Sequence, residues 1–92
     1  HRLEKAKTYY GRALELRKAS LGSQNPRIGI MEHNLAVTLA ELGLRDEALV
    51  HVRAAVAIRE NTLPPDHHWR RESEALLAEL IGLAPGARRL RH

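Results

Sequence analysis

The sequence predicts an all-α protein built from antiparallel helix-turn-helix units, and three observations carry that prediction. Ala, Leu, Glu and Arg dominate the 92 residues, and all four are good helix formers. Phe is absent and aromatic residues make up 3%, whereas strands favour aromatic and β-branched side chains. Apolar residues recur at three- and four-residue steps in four segments, each followed by Gly or Pro. We therefore expect about four helices.

The first two helices are predicted from their ends. Helix one should run from about Leu3 to Leu21, because Gly22 follows where a left-handed C-terminal residue is favoured. Helix two should begin at Asn25-Pro26, since Asn caps exposed amides and Pro suits the first helical position. Gly43 should end it. The apolar stripes of the two helices are Leu3, Ala6, Tyr10, Ala13 and Leu14, then Ile28, Met31, Leu35, Leu39 and Leu42.

The third helix should start near Arg45 and stop at Pro64-Pro65. For the fourth, Asp66 is the predicted N-cap and Pro85-Gly86 the predicted end, which leaves residues 87–92 as a basic tail. The links between helices are two to four residues long. Short links force sequential helices to lie side by side and antiparallel.

The chain repeats itself at a spacing of 42 residues. Seven identical pairs fall in register on core stripes and helix ends: Ala6 and Ala48, Ala13 and Ala55, Arg17 and Arg59, Leu21 and Leu63, Glu32 and Glu74, Leu35 and Leu77, Ala36 and Ala78. A period of about 20 to 50 residues indicates stacked units that cannot bury their faces alone. Each unit is a helix pair, so the chain is an α-solenoid fragment. Ala36, Ala48 and Ala55 are expected where helices approach most closely.

These residues resemble the tetratricopeptide repeat. The matching positions are Asn34-Leu35-Ala36, Gly43, Asp46-Glu47-Ala48, and Ala55 followed by Ile58-Arg59-Glu60. The 42-residue period, with Leu21-Gly22 and Asn25-Pro26 in the longer turn, is similar to the kinesin-light-chain variety, with Asn25 in the place of the usual histidine. Residues 63–68 are the second copy of that turn, with His67 matching the histidine.

The resemblance implies a single domain over residues 1–86. Residues 3–21 would be helix B of one repeat, 26–62 a full repeat, and 66–84 helix A of a third. The chain starts without Met, which suggests a fragment of something longer.

The resemblance also implies a protein-interaction scaffold, because the A helices of such arrays line a groove that holds a peptide or helix of a partner. The groove positions carried over are Ile30, His33, Asn34, Val37, Glu41, Glu72, Ala75 and Glu79. Asn34 is the best single candidate for contact with a partner, since an amide can both donate hydrogen bonds to and accept them from a peptide backbone. The alternative for Asn34 is that it caps or bridges neighbouring helices. The glutamates favour a helical or basic partner over an acidic one.

The positive net charge suggests an alternative function. The net charge is +4 and the pI near 10, so a basic helical domain could contact nucleic acid through helix one and the C-terminal Arg tail. Those groups are Arg2, Lys5, Lys7, Arg12, Arg88, Arg89 and Arg91. One solvated helix face and a short tail explain the same charge, so we do not expect a nucleic-acid partner.

No constellation of catalytic, metal-binding or cofactor-binding residues is visible. There is no cysteine, HExxH motif, serine elbow or glycine-rich phosphate loop, so we expect no enzyme and no cofactor. His67 and His68 are adjacent, and on a helix their rings would diverge. No apolar run approaches the ~20 residues of a membrane span, and with no targeting signal a cytoplasmic location is expected.

Two features of the fourth helix bear on partners. Trp69, near its start, is expected to lie in the core or to plug the contact between repeats, and the alternative is an exposed anchor for a neighbouring module. The helix also presents an apolar side with no helix B after it. Because terminal repeats need a polar cap, this face is expected to pack back on the array, to meet another chain, as in a homodimer, or to be covered where the parent protein continues.

Overall fold

The computed structural model describes residues 2–82, and four helices account for most of that range. They are α1 (Arg2–Leu21), α2 (Pro26–Glu41), α3 (Arg45–Thr62) and α4 (His68–Leu80). No strand occurs within residues 2–82. The all-α prediction is therefore confirmed. The predicted Pro85-Gly86 stop and the basic tail of residues 87–92 lie outside the described residues.

The starts of α2 and α4 are capped at equivalent positions of the repeat. Asn25 Oδ1 accepts a hydrogen bond from the Arg27 amide at 2.9 Å, as predicted. At the start of α4 the prediction of Asp66 as N-cap is wrong, because His67 occupies that position and its Nδ1 accepts from the Trp69 amide at 3.1 Å. The two caps are 42 residues apart, so an imidazole nitrogen replaces the amide oxygen in the same role.

The fourth helix is shorter than predicted. It ends at Leu80, with Ile81 as C-cap, whereas the sequence indicated helix to residue 84. Gly82 has a φ of 86°, a left-handed conformation that glycine adopts without steric cost. The Gly82 backbone therefore ends α4 before the chain reaches Pro85.

The helices pack in chain order, and contacts at both ends of α3 and α4 show that these two helices are antiparallel. α1 packs against α2, α2 against α3 and α3 against α4, while α2 also touches α4. Near the end of α3, Arg59 donates to the carbonyl of Trp69 at the start of α4. At the opposite end, Arg45 at the start of α3 donates to the carbonyl of Leu80 at the end of α4.

Small residues set the closest helix approach, as predicted. Ala36, Ala48 and Ala55 all have no exposed surface. Gly29 of α2 extends this pattern, because a Cβ there would lie 3.1 Å from Ile58 Cγ2. The larger core residues form two clusters: Leu14, Ile28, Leu35, Leu39, Ala48 and Ile58 in one, and Ala36, Val52, Val56 and Leu76 in the other. Both clusters join side chains from more than two helices, so the helix pairs share one interior.

Candidate interaction surface

The buried hydroxyl of Ser73 on α4 contacts polar side chains of both α2 and α3. Ser73 of α4 has no exposed surface, and its Oγ lies 2.8 Å from Nδ1 of His33 on α2. Arg59 of α3 donates from Nη1 to the same Oγ at 2.9 Å and to the Trp69 carbonyl at 2.8 Å. Because a guanidinium only donates, Ser73 Oγ accepts from Arg59, and the Ser73 hydroxyl can donate a hydrogen bond to Nδ1 of a neutral His33. The contact between α2 and α4 thus includes a buried polar pair.

The environment of His33 favours the neutral imidazole. Burial is the largest cause that lowers the pKa of His33 below its ordinary value, and the nearby Arg59 charge lowers it further. Glu72 acts in the opposite direction. Burial also lowers the pKa of Arg59, again with Glu72 opposing, although a guanidinium stays charged at any ordinary pH. Only a neutral His33 has a ring nitrogen that can accept a hydrogen bond from the Ser73 hydroxyl.

The predicted groove residues of α2 divide between its two edges. Ile30 and Asn34 are exposed and line a depression of about 310 Å³ that α2 shares with Tyr9 and Tyr10 of α1. The Asn34 side-chain amide makes no hydrogen bond to another described residue, so it does not bridge helices within residues 2–82. His33 faces α4.

Val37 and Glu41 complete the α2 set, and they differ in burial. Val37 is half-buried and packs against the cluster that contains Ala36 and Leu76. Glu41 is exposed at the last position of α2. Val37 therefore contributes to packing, whereas Glu41 is accessible to a partner.

On α4, the predicted groove residues are partly exposed. Glu72 and Ala75 are exposed, and Glu79 is half-buried. Glu72 is close enough to His33 and Arg59 to influence the pKa of both. The α2/α4 surface consequently carries acidic groups, with Arg71 as an exposed basic neighbour.

A second buried polar group was not predicted from the sequence. Glu32 of α2 is 3% exposed, its Oε1 lies 2.6 Å from His51 Nδ1 on α3, and its Oε2 lies 3.6 Å from Lys18 Nζ on α1. One carboxylate thus connects three helices. The sequence contained a signal for both buried networks, because Glu32 and Arg59 each have an identical residue 42 positions away. Charged residues at core positions need partners, so these two positions predict buried polar contacts.

Two expectations about the start of α4 differ from the structure, one about the His67 and His68 rings and one about Trp69. His67 and His68 have nearly parallel rings, 13° apart with centroids at 5.0 Å, because His67 is an N-cap and lies outside the helix. Trp69 is 43% exposed, so it is not the buried plug that we expected. Its ring lies 5.9 Å from the Arg59 guanidinium carbon, at the junction of α3 and α4.

Among residues 2–82, no three His, Cys, Asp or Glu side chains come together as a set that could hold a metal ion. No helix in the same range combines the length and apolar character needed to cross a bilayer.

Comparison with known proteins identifies the family. The family model described as tetratricopeptide repeat matches residues 1–61, which include α1, α2 and nearly all of α3. Neither the comparison with curated proteins nor the comparison with solved structures returned a match. The match covers more than half of the chain and agrees with the helix pairs described above. The chain therefore belongs to the tetratricopeptide repeat family, whose members are typically non-enzymatic scaffolds for protein partners.

Proposed function

We propose that this chain is a protein-interaction module that holds a peptide or helix of a partner against α2 and α4, as part of a larger scaffold. The observation that carries the proposal is the direct contact of the two A helices through His33 and Ser73. This contact brings Glu72 of α4 close to His33 of α2, so α4 and this edge of α2 form one surface. We also propose that the repeat is of the kinesin-light-chain variety, which the 42-residue period and the matched caps at Asn25 and His67 support.

The chemistry of this surface favours a basic or helical segment. Asn34 offers an exposed amide that can donate to and accept from a peptide backbone. Glu41 and Glu72 are exposed, so lysine or arginine on a partner would meet opposite charge. Val37 of α2 is half-buried and leaves part of its apolar side chain accessible.

The proposal is tested by selecting peptides that bind the immobilised chain from a random library and measuring their affinity by fluorescence anisotropy. We expect selected peptides to carry net positive charge. Asn34→Ala should weaken binding about fivefold, the equivalent of one hydrogen bond worth ~1 kcal/mol. Glu72→Lys should weaken basic peptides further, because it reverses a charge at the surface.

The matched control is Glu60→Lys, which reverses an exposed charge on α3 away from the two A helices. Selected peptides that are acidic, or that bind Asn34→Ala and Glu72→Lys as well as the unaltered chain, would contradict the groove assignment. Thermal melts of each variant separate lost binding from lost folding.

The nucleic-acid alternative rests on Arg2, Lys5 and Arg12, which are exposed on α1. Lys7, one of its candidate contacts, lies 3.5 Å from Glu47 on α3, and the Arg tail lies outside the described residues. Salt titration with duplex DNA tests it, since binding to phosphates weakens steeply as salt increases.

A homodimer through the exposed face of α4 is a further proposal about partners. Glu72 and Ala75 are at its surface. Sedimentation equilibrium of the chain and of Ala75→Arg tests it, and a monomer at every concentration would contradict it.

A further inference from the structure

A cleft lies between α1 and α3, with α2 at its bottom. Leucine side chains of α1 and α2 form its floor, and its walls consist of Lys7, Gly11, Glu15, Glu47 and His51. We call these walls and their floor the α1/α3 cleft. Its volume is about 220 Å³, below the roughly 300–1,000 Å³ of small-molecule sites, so its size suits a single side chain.

The α1/α3 cleft is complete within the described fold. Its walls and floor come from three consecutive helices, and an ion pair between Lys7 and Glu47 at 3.5 Å joins α1 to α3. The residue 42 positions after Gly11 is Arg53 of α3, which is exposed although both α2 and α4 pack against α3. Helices packed on both sides, as in the full repeat, therefore leave this position open.

Gly11 opens the cleft at a cost to α1. Glycine in a helix interior is less stable than alanine, because it loses more backbone freedom on folding. An added Cβ at Gly11 would meet no atom of α2, α3 or α4 within 4 Å, whereas at Gly29 it would lie 3.1 Å from Ile58 Cγ2. The packing of the chain thus requires glycine at position 29 and not at position 11. Glycine at position 11 instead provides room beside the α1 backbone, through which an occupant reaches the leucine floor.

The polar groups of the cleft are mainly hydrogen-bond acceptors. Glu15 is exposed and forms no ion pair within residues 2–82. His51 Nδ1 lies 2.6 Å from Glu32 Oε1, and a carboxylate only accepts, so a neutral His51 carries its proton on Nδ1 and can accept at Nε2. The one donor side chain in the walls is Lys7, which Glu47 already engages. Two carboxylates against one ammonium favour an occupant that is cationic and donates.

We propose that the α1/α3 cleft binds an arginine side chain of a partner protein. The aliphatic stem packs on the leucine floor beside Gly11, and the guanidinium donates to Glu15 on one wall and Glu47 on the other. A guanidinium carries five N–H donors in one plane, which suits acceptors on two walls better than the compact ammonium of lysine does. The cleft shares no residue with the α2/α4 surface, so this binding does not depend on the proposed function.

The test uses the tripeptide acetyl-Ala-Arg-Ala-amide and its citrulline counterpart, which has nearly the same shape without the charge. Two-dimensional NMR of the labelled chain follows each titration up to about 20 mM peptide at constant ionic strength. We expect shifts at Gly11, Glu15, Glu47 and His51, with a Kd of about 1–10 mM because so small a ligand has few atoms. The citrulline peptide should bind at least about tenfold more weakly, and the lysine peptide about threefold more weakly.

Variants at Gly11 separate binding from folding. Gly11→Leu fills the cleft and should weaken binding of the arginine peptide at least about tenfold. Gly11→Ala should weaken it by less and raise the melting temperature by about 4 °C, because alanine stabilises a helix interior relative to glycine. A variant that melts higher and binds more weakly cannot owe its lost affinity to unfolding.

Variants of the charged walls test the chemistry. Glu15→Gln should weaken binding of the arginine peptide about threefold. Lys7→Met should strengthen it about threefold, because it removes a like charge and frees the Glu47 carboxylate. The matched control is Glu60→Gln, since Glu60 is exposed on α3 and does not line the cleft, and its affinity should stay unaltered.

Four results would overturn the proposal. The first is a titration in which shifts are absent from the cleft or confined to α2 and α4. The second is a citrulline or lysine peptide that binds as tightly as the arginine peptide. The third is affinity that Gly11→Leu leaves unaltered. The fourth is self-association of the chain alone that Gly11→Leu abolishes, because the occupant would then be a second copy.

Discussion

Replacing Ser73 with Ala tests whether one buried hydroxyl holds the repeat units together. The substitution deletes only Oγ, the atom that accepts from Arg59 Nη1 at 2.9 Å and lies 2.8 Å from His33 Nδ1. Ser73 has no exposed surface, so water does not replace the lost atom without a local rearrangement.

The size of the effect follows from what Arg59 and His33 retain. A hydrogen bond to a charged group contributes roughly 1.5–3 kcal/mol. Arg59 keeps its bond to the Trp69 carbonyl at 2.8 Å, and half-buried His33 can reach water, so the loss lies toward the lower end. We expect the free energy of unfolding to fall by about 2 kcal/mol. For a chain of this length that corresponds to a melting temperature lower by about 10 °C.

Urea unfolding followed by far-UV circular dichroism measures the change. The matched control is Ser20→Ala, at an exposed position of α1, which gains the same helix propensity and should change stability by less than about 0.5 kcal/mol. A double-mutant cycle that combines Ser73→Ala with His33→Ala should give a coupling energy of about 1 kcal/mol between the two side chains. If Ser73→Ala and Ser20→Ala are equally stable, the buried network does not hold α4 to α2.

Three further predictions concern other polar contacts. Glu32→Gln should lower the free energy of unfolding by about 2 kcal/mol, because it weakens the buried contact with His51 that joins two helices. His67→Ala should cost about 1 kcal/mol of stability through loss of the α4 cap, whereas His67→Asn should cost little, since Asn25 caps α2 in the same way. The third concerns pH. The pKa of His33 is lowered below 6.5, first by burial and then by a nearby guanidinium, so the unfolded chain binds the proton more readily. Stability relative to His33→Gln should therefore be full above pH 6.5 and fall as the pH drops below it.

Thermal melts at several pH values measure all three. Exposed Gln24→Ala is a suitable control for the first two, because its side chain is in solvent between α1 and α2. A Glu32→Gln variant as stable as the unaltered chain would show that the Glu32 carboxylate does not stabilise the packing of α2 on α3. Equal losses for His67→Ala and His67→Asn would contradict the capping role. A stability gap between the chain and His33→Gln that stays constant on acidification would contradict the neutral state of His33.

Interactions within one or two helical turns could be predicted from the sequence. Asn25 was identified as an N-cap because the cap and the amide that it accepts from are two residues apart. Gly43 was identified as a helix end for a similar local reason. The same reasoning failed at α4, where Asp66 and His67 both suit a cap and only the backbone path selects His67.

The candidate surface was predicted only in part. The sequence indicated which helix carries Asn34 and Val37, because apolar periodicity fixes the buried and exposed sides of α2. It did not indicate that Asn34 lies beside α1 while His33 bonds to α4. That division depends on the angles at which three helices meet.

The sequence by itself determined four helices, most of their ends and the 42-residue repeat, since helix propensity, capping and apolar spacing act between near neighbours in the chain. The tertiary structure alone decided which polar groups are buried and what they bond to. Glu32 and His51 are 19 residues apart, and His33 and Ser73 are 40 apart. Such partners meet only after helices pack, because a hydrogen bond needs its two atoms within about 3 Å, a distance that no local pattern specifies.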